Sequence, residues 1–250
     1  MFLDHIMRCA IIADIHSNLV AFRAVLDDIT CRGGVEEIWC LGDIVGYGPN
    51  PRECIELLRE YRHCGVAGNH DWAAIRKIDV SDFNPVAAEA CNWTAARLDE
   101  SSFAYLDALP LVLERGDFTL VHGSPDAPIE EYLLSSYRAM FNLSSISTRH
   151  CLVGHSHIPM LFVFSTQYPD YRLVALPDEI CLDCSERLIV NPGSVGQPRD
   201  GDPRASYMIM DITSGSLYHY RVEYDILSVQ EKMRCEGLPS RLAIRLSYGQ

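Results

Sequence analysis

A chain of 250 residues that is 48% hydrophobic and 22% charged has apolar material for a sizeable core and an ordinary globular composition. Its formal net charge of −13 argues against a protein that grips long nucleic acid through clustered Lys and Arg, and no apolar stretch approaches a membrane span. The opening Met1-Phe2-Leu3-Asp4-His5-Ile6-Met7 lacks the basic segment and long apolar run of a secretory signal. A cytoplasmic location with the cysteines kept as thiols is therefore expected.

The first apolar run, Cys9-Ala10-Ile11-Ile12-Ala13, reads as a strand buried on both faces, because its apolar residues are continuous rather than alternating. From Asn18 to Cys31 the apolar positions Leu19, Phe22, Val25, Leu26 and Ile29 recur at helical spacing, with Ser17 or Asn18 as cap and Gly33-Gly34 as the stop. Glu37 to Leu41 predicts a second strand, and Pro51 opens a helix through Glu60. Cys64 to Ala67 predicts a third strand, followed by helices over Trp72–Lys77 and Pro85–Leu98, the latter capped by Asn84.

Leu111–Arg115 and Asp117–Val121, separated by Gly116, predict a hairpin. Tyr132–Leu143 reads as helix. Strand signals then recur at 150–153, 160–164, 171–176, 188–190, 205–211 and 216–222, before a final helix from Asp225 to Cys235. Alternating β and α followed by mostly β predicts two sheets packed face to face with helices outside. No linker divides the chain, so residues 1–250 read as one domain with 216–250 as a strand and helix extension packed on it. Cys181-Leu182-Asp183-Cys184 is a lone CxxC and reads as free thiols in a loop rather than a zinc site.

Polar clusters follow the apolar runs in order: Asp14-Ile15-His16, Gly42-Asp43, Gly68-Asn69-His70-Asp71, His122-Gly123 and Gly154-His155-Ser156-His157. In open α/β sheets, loops beyond the carboxyl ends of the strands converge on the ligand site. A two-metal hydrolase needs a carboxylate that bridges both ions, N and O ligands around each, and open positions for water and substrate. Asp14, His16 and His157 can reach one ion, Asn69, His122 and His155 the other, and Asp43 can bridge.

These clusters resemble, in order and residue type, the five motifs of the calcineurin-like metallophosphoesterases, in register from residue 9 to about 196. The resemblance implies the metallo-dependent phosphatase fold, an α/β four-layer α/β/β/α sandwich of two packed mixed β-sheets flanked by helices. It also implies two divalent metal ions, with manganese the expected activator and iron, zinc, nickel or cobalt also suited to these ligands. Asp14, His16, Asp43 and His157 would surround one ion and Asp43, Asn69, His122 and His155 the other. The implied chemistry is attack of a metal-bound hydroxide on phosphorus, with His70 contacting the phosphoryl oxygens or protonating the leaving group.

One departure stands out. Protein phosphatases of the superfamily carry an Asp three residues after the bridging Asp to orient the catalytic His, and the position here is Gly46; Asp71 is the available substitute. The loop Gly46-Tyr47-Gly48-Pro49-Asn50-Pro51 and the block Asn191-Pro192-Gly193-Ser194-Val195-Gly196-Gln197-Pro198-Arg199 are instead similar to a small bacterial and archaeal phosphodiesterase-like branch. Asn18, Asn191, Ser194 and Arg199 are the substrate-binding candidates, against the alternative of a tight turn with a solvated Arg. In that branch the tail packs on the body or on a neighbouring subunit, which leaves a homo-oligomer open.

The leading expectation is a phosphodiesterase acting on a small or nucleotide-like phosphorylated substrate. A phosphomonoesterase or nucleotide pyrophosphohydrolase on the same site is the alternative. A third class, a non-catalytic binding scaffold, is disfavoured by the intact ligand set and His70.

Overall fold

The computed structural model describes residues 7–165, 171–182 and 185–250. Its first part is built of β1 (Arg8–Ile12), α1 (Leu19–Cys31), β2 (Glu37–Cys40), α2 (Pro51–Arg59), β3 (His63–Gly65), α3 (Asn69–Ala74), α4 (Pro85–Ala95) and α5 (Glu100–Asp107). There follow β4 (Val112–Arg115), β5 (Phe118–Val121), α6 (Ser136–Ser144), β6 (His150–Leu152), β7 (Met160–Ser165), β8 (Tyr171–Ala175), β9 (Glu179–Cys181) and β10 (Glu186–Asn191). The chain closes with β11 (Ala205–Asp211), β12 (Ser216–Val222), α7 (Ile226–Cys235), α8 (Ser240–Arg245) and a 3₁₀ turn over Leu246–Tyr248.

The strands form two mixed sheets, ordered β3-β2-β1-β11-β12-β9 and β4-β5-β6-β10-β7-β8. In the first, β1, β2 and β3 run parallel and β11 adds antiparallel to β1. In the second, β5, β6 and β10 are parallel neighbours. Successive residues of β1 serve opposite layers: Cys9 and Ile11 pack with Phe118, Leu120, Leu188 and Val190 between the sheets, while Ala10 and Ile12 pack with Phe22, Val25 and Ile29 of α1. Helix α6 covers the far side of the second sheet, where Leu143 and Ala139 meet Phe162 and Ile189. Both faces of the central strands are therefore dry, which is why their sequences are continuously apolar. The result is an α/β/β/α sandwich.

Several boundaries differ from those read in the sequence. The helix expected at Trp72–Lys77 begins at Asn69, because Gly68 in extended conformation (φ −101°, ψ 172°) caps it and its N–H donates to Asp71 Oδ2 at 3.0 Å. The helix expected to reach Leu98 stops at Ala95, and Asp99 caps the separate α5 by accepting from Ser102 N–H at 2.8 Å. Ser135 caps α6, so that helix starts four residues after the expected Tyr132. The edge strand β9 was not anticipated, and α7 is followed by α8 rather than ending the chain. β12 is an internal strand of the first sheet, between β11 and β9, while α7 and α8 pack with Tyr47, Ala87 and Ala90. Cys181 is exposed and Cys184 lies outside the described residues. Among the described residues no helix is long and apolar enough to cross a membrane.

Candidate metal centre

The loops leaving β1, β2, β3, β5 and β6 meet at the carboxyl ends of the parallel strands, and backbone hydrogen bonds lock them together. Asp14 N–H donates to Gly42 C=O at 3.0 Å, His16 N–H to Asp43 C=O at 2.9 Å, Gly154 N–H to His122 C=O at 2.8 Å and Gly196 N–H to Asp14 C=O at 2.9 Å. Asp14, His16, Asp43, His155 and His157 all have left-handed backbone, with φ between 48° and 67°. Non-glycine residues rarely adopt this conformation, and clustered strain of this kind persists where the surrounding structure enforces it for a site.

All seven sequence-predicted metal ligands converge. Asp14, His16, Asp43 and His157 offer ligand atoms within 4.8 Å of one another, and Asp43, His122 and His155 do the same on the other side of Asp43. Asp43 Oδ2 lies 3.4 Å from His16 Nε2 and 3.3 Å from His122 Nε2, so it faces both groups. Asn69 Oδ1 joins the second group, 3.1 Å from His122 Nε2. His157 Nε2 lies 3.4 Å from Asp14 Oδ1.

The other nitrogen of each imidazole is tied to a backbone carbonyl: His16 Nδ1 to Val45 at 3.1 Å, His122 Nδ1 to Leu41 at 2.8 Å, His157 Nδ1 to Gln197 at 2.7 Å and His155 Nε2 to Glu130 at 3.3 Å. A carbonyl accepts only from N–H, so in the neutral rings these bonds leave the inward nitrogens with lone pairs, as metal ligation requires. Inward nitrogens then face each other at 3.1 Å, both in His16–His157 and in His122–His155. Paired lone pairs at that distance repel unless a proton or cation lies beside them. Asp14 Oδ2 and Asp43 Oδ2 are buried with no hydrogen-bond partner, although buried carboxylate oxygens normally have one. The donor set therefore fits divalent cations.

The electrostatics agree. Burial and the neighbouring Asp43 push the Asp14 carboxyl up, whereas at Asp43 the effect of burial is outweighed by His122, His70 and His16 and the carboxyl is held low. Burial lowers His16, His157 and His155, keeping them neutral near pH 7. His122 moves up despite burial, because Asp43 and Asp14 lie beside it. Metal binding requires deprotonated ligands, and most of this set already meets that condition.

His70 is buried at the cavity wall and lowered to about 4, chiefly by burial. Asp71 does not orient it: Asp71 Oδ1 accepts from Val45 N–H at 3.1 Å and Oδ2 from Gly68 N–H. Instead Cys91 Sγ sits 3.2 Å from His70 Nδ1. The structure also explains why no Asp stands at position 46, since a Cβ on Gly46 would lie 2.7 Å from His70 Nδ1.

Of the four substrate-binding candidates, only Arg199 lines the cavity. Asn18 caps α1 and donates to Gly196 C=O at 2.9 Å. Asn191 donates to Gly154 C=O at 2.6 Å and to Ser156 Oγ at 3.0 Å, and Ser194 donates to Asp14 C=O at 2.8 Å. These three hold the ligand-bearing loops. The cavity, about 810 Å³, adds residues that the sequence reading did not assign to the site: Tyr47, Phe83, Tyr132 and Arg245. Tyr132 stacks on the His155 ring at 3.8 Å. The positive φ of Tyr47, inside a loop already singled out, is consistent with a built site, but no local pattern marks Arg245.

The calcineurin-like phosphoesterase superfamily domain matches residues 7–215. An uncharacterized protein of Methanocaldococcus jannaschii is 42% identical over 247 residues, covering 96% of this chain and 98% of that one. The crystal structure of a metallophosphoesterase from Sphaerobacter thermophilus superposes with a TM-score of 0.86 at 46% identity, covering 98% of this chain and all of that one. A symmetrical bis(5′-nucleosyl)-tetraphosphatase of Haemophilus ducreyi is 26% identical over 149 residues, 56% of this chain and 54% of the relative. On these matches and the site they cover, the chain belongs to the calcineurin-like phosphoesterase superfamily.

Proposed function

We propose that this protein is a phosphodiesterase that hydrolyses a small or nucleotide-like phosphate ester at a dinuclear metal centre. The observation that carries the proposal is Asp43 Oδ2: buried, without a hydrogen-bond partner, and facing His16 on one side and His122 on the other. Asp14, His16, Asp43 and His157 would hold one divalent cation and Asp43, Asn69, His122 and His155 the other, with manganese the expected activator. Such cations, when bound, supply Lewis acidity toward a phosphoryl oxygen and lower the pKa of water.

The remaining work falls to side chains. Cys91 is held as a thiol, pushed up to about 12 by burial, so its S–H can donate to His70 Nδ1 and leave Nε2 carrying the hydrogen. A neutral His70 in that tautomer can donate to a phosphoryl or leaving-group oxygen. Arg199 provides a guanidinium for a substrate phosphate. Residues 1–250 are taken as one catalytic unit, because positions as distant as Tyr47 and Arg245 line one cavity.

A second reading, hydrolysis of a nucleotide phosphoanhydride on the same site, is favoured by the partial likeness to a symmetrical bis(5′-nucleosyl)-tetraphosphatase. Hydrolysis of bis-p-nitrophenyl phosphate and p-nitrophenyl phosphate with added Mn²⁺ tests the first. Faster diester cleavage supports a phosphodiesterase; faster monoester cleavage contradicts it.

A further inference from the structure

Arg245, the last residue of α8, and Arg199, on the loop after β10, line the same cavity as Asn69, His70 and His155. Arg199 is anchored beside the centre, its N–H donating to His157 C=O at 3.2 Å. The two guanidinium groups converge: both donate to Gln197 Oε1, Arg199 Nη2 at 3.3 Å and Arg245 through Nη2. Both also sit over the Tyr47 ring, at 5.8 Å and 4.6 Å from its centroid.

Two cations held together should have anionic partners, yet among the described residues no carboxylate approaches either within 4.0 Å. Asp79, Asp82 and Glu130 line the cavity without reaching them. Arg245 Nε is buried with no hydrogen-bond partner. A half-buried cation with a buried, orphaned donor is costly unless paired, and desolvation together with the neighbouring Arg199 lowers the Arg245 guanidinium to about 10. Guanidinium forks match phosphate oxygens in pairs.

Ile78, Phe83, Ala87, Ile129 and Tyr132 add an apolar and aromatic wall beside the charged groups, with Asn84 and Gln250 as further polar lining. A volume of about 810 Å³ lies within the range of small-ligand sites, roughly 300–1,000 Å³. We propose that Arg199 and Arg245 form a second phosphate subsite beside the metal centre, selecting nucleotides that carry at least two linked phosphates. This deepens the hydrolytic reading and rests on it for the position of the first phosphate. The apolar wall takes the base, and the C-terminal helix thereby contributes directly to substrate choice.

Calorimetric titration of the Mn²⁺-loaded protein with ADP and with AMP tests the subsite. The wild type should bind ADP at least about tenfold more tightly than AMP, as expected for an added charge-assisted contact. Arg245→Gln should bring the two affinities to within about twofold of each other. Arg241→Gln, an exposed charge on the same helix, should keep the wild-type ratio. Should Arg245→Gln fail to fold, Arg199→Gln carries the same test. Equal wild-type affinities for the two nucleotides, or a ratio that survives Arg245→Gln, would overturn the subsite. The titration needs no turnover, so an inactive protein that still prefers ADP removes the catalytic reading alone, whereas an active one without the preference removes the subsite alone.

Discussion

Cys91 Sγ lies 3.2 Å from His70 Nδ1, the ring nitrogen that faces away from the phosphoryl group in the proposed chemistry. A thiol is a weak donor and carries no charge, so it fixes the tautomer and angle of His70 without raising its basicity. Cys91→Ala should therefore lower kcat by about three- to tenfold with little change in KM, because only the orientation of a proton donor is lost. Cys91→Ser should restore most of the rate. A KM effect equal to the kcat effect, or no rescue by Ser, would assign Cys91 to packing alone.

Gly196 is required by proximity rather than by its own torsion. A Cβ there would stand 1.8 Å from Ile15 C=O oxygen, on the loop that carries Asp14 and His16. Gly196→Ala must push the two loops apart, costing about 2–3 kcal/mol as overpacking does. Urea denaturation reads the loss directly, and a midpoint equal to wild type would show that the loops can yield.

His150, buried on β6, accepts Leu188 N–H at Nδ1 over 3.2 Å. Burial, aided by Arg149 and Arg187, lowers it to about 4, whereas an unfolded histidine titrates near 6.5. Below pH 6.5 the unfolded chain takes up a proton that the folded one refuses. The contribution is thus complete above pH 6.5 and is lost as pH falls toward about 4, amounting to about 1–3 kcal/mol. Denaturation curves from pH 7 to 4.5 should show a shallower decline in His150→Gln than in wild type. Parallel curves would mean that His150 titrates normally when folded.

The convergence of the candidate ligands was legible because each follows an apolar strand-like run, and strand ends in a doubly covered sheet converge whatever their sequence separation. Asp14, Asp43 and His122 illustrate this: each leaves β1, β2 or β5 within three residues of its end. The elements missed had weak local signals. In α5 only Ser102 and Leu106 are buried, too few for a helical period, and β9 buries Ile180 alone. The early start of α3 was hidden because its cap is Gly68, which has no side chain to signal it. Asn191 and Ser194 were recognisable as polar residues in a special block, but only tertiary contacts assign them to loop support at Gly154 and Asp14. Arg245 reaches the cavity and Cys91 reaches His70 through helix packing, for which sequence spacing has no code.

The most direct measurement is metal content and diester hydrolysis of wild type and Asp43→Asn side by side. The substitution keeps volume and removes the carboxylate that faces both histidine groups. Wild type should bind two Mn²⁺ per chain and cleave bis-p-nitrophenyl phosphate, while Asp43→Asn should hold at most one and lose at least about a hundredfold in rate, more than the loss of an outer ligand contact. A folded Asp43→Asn variant that keeps two metals and its activity would contradict the bridging role of Asp43 and with it the dinuclear centre.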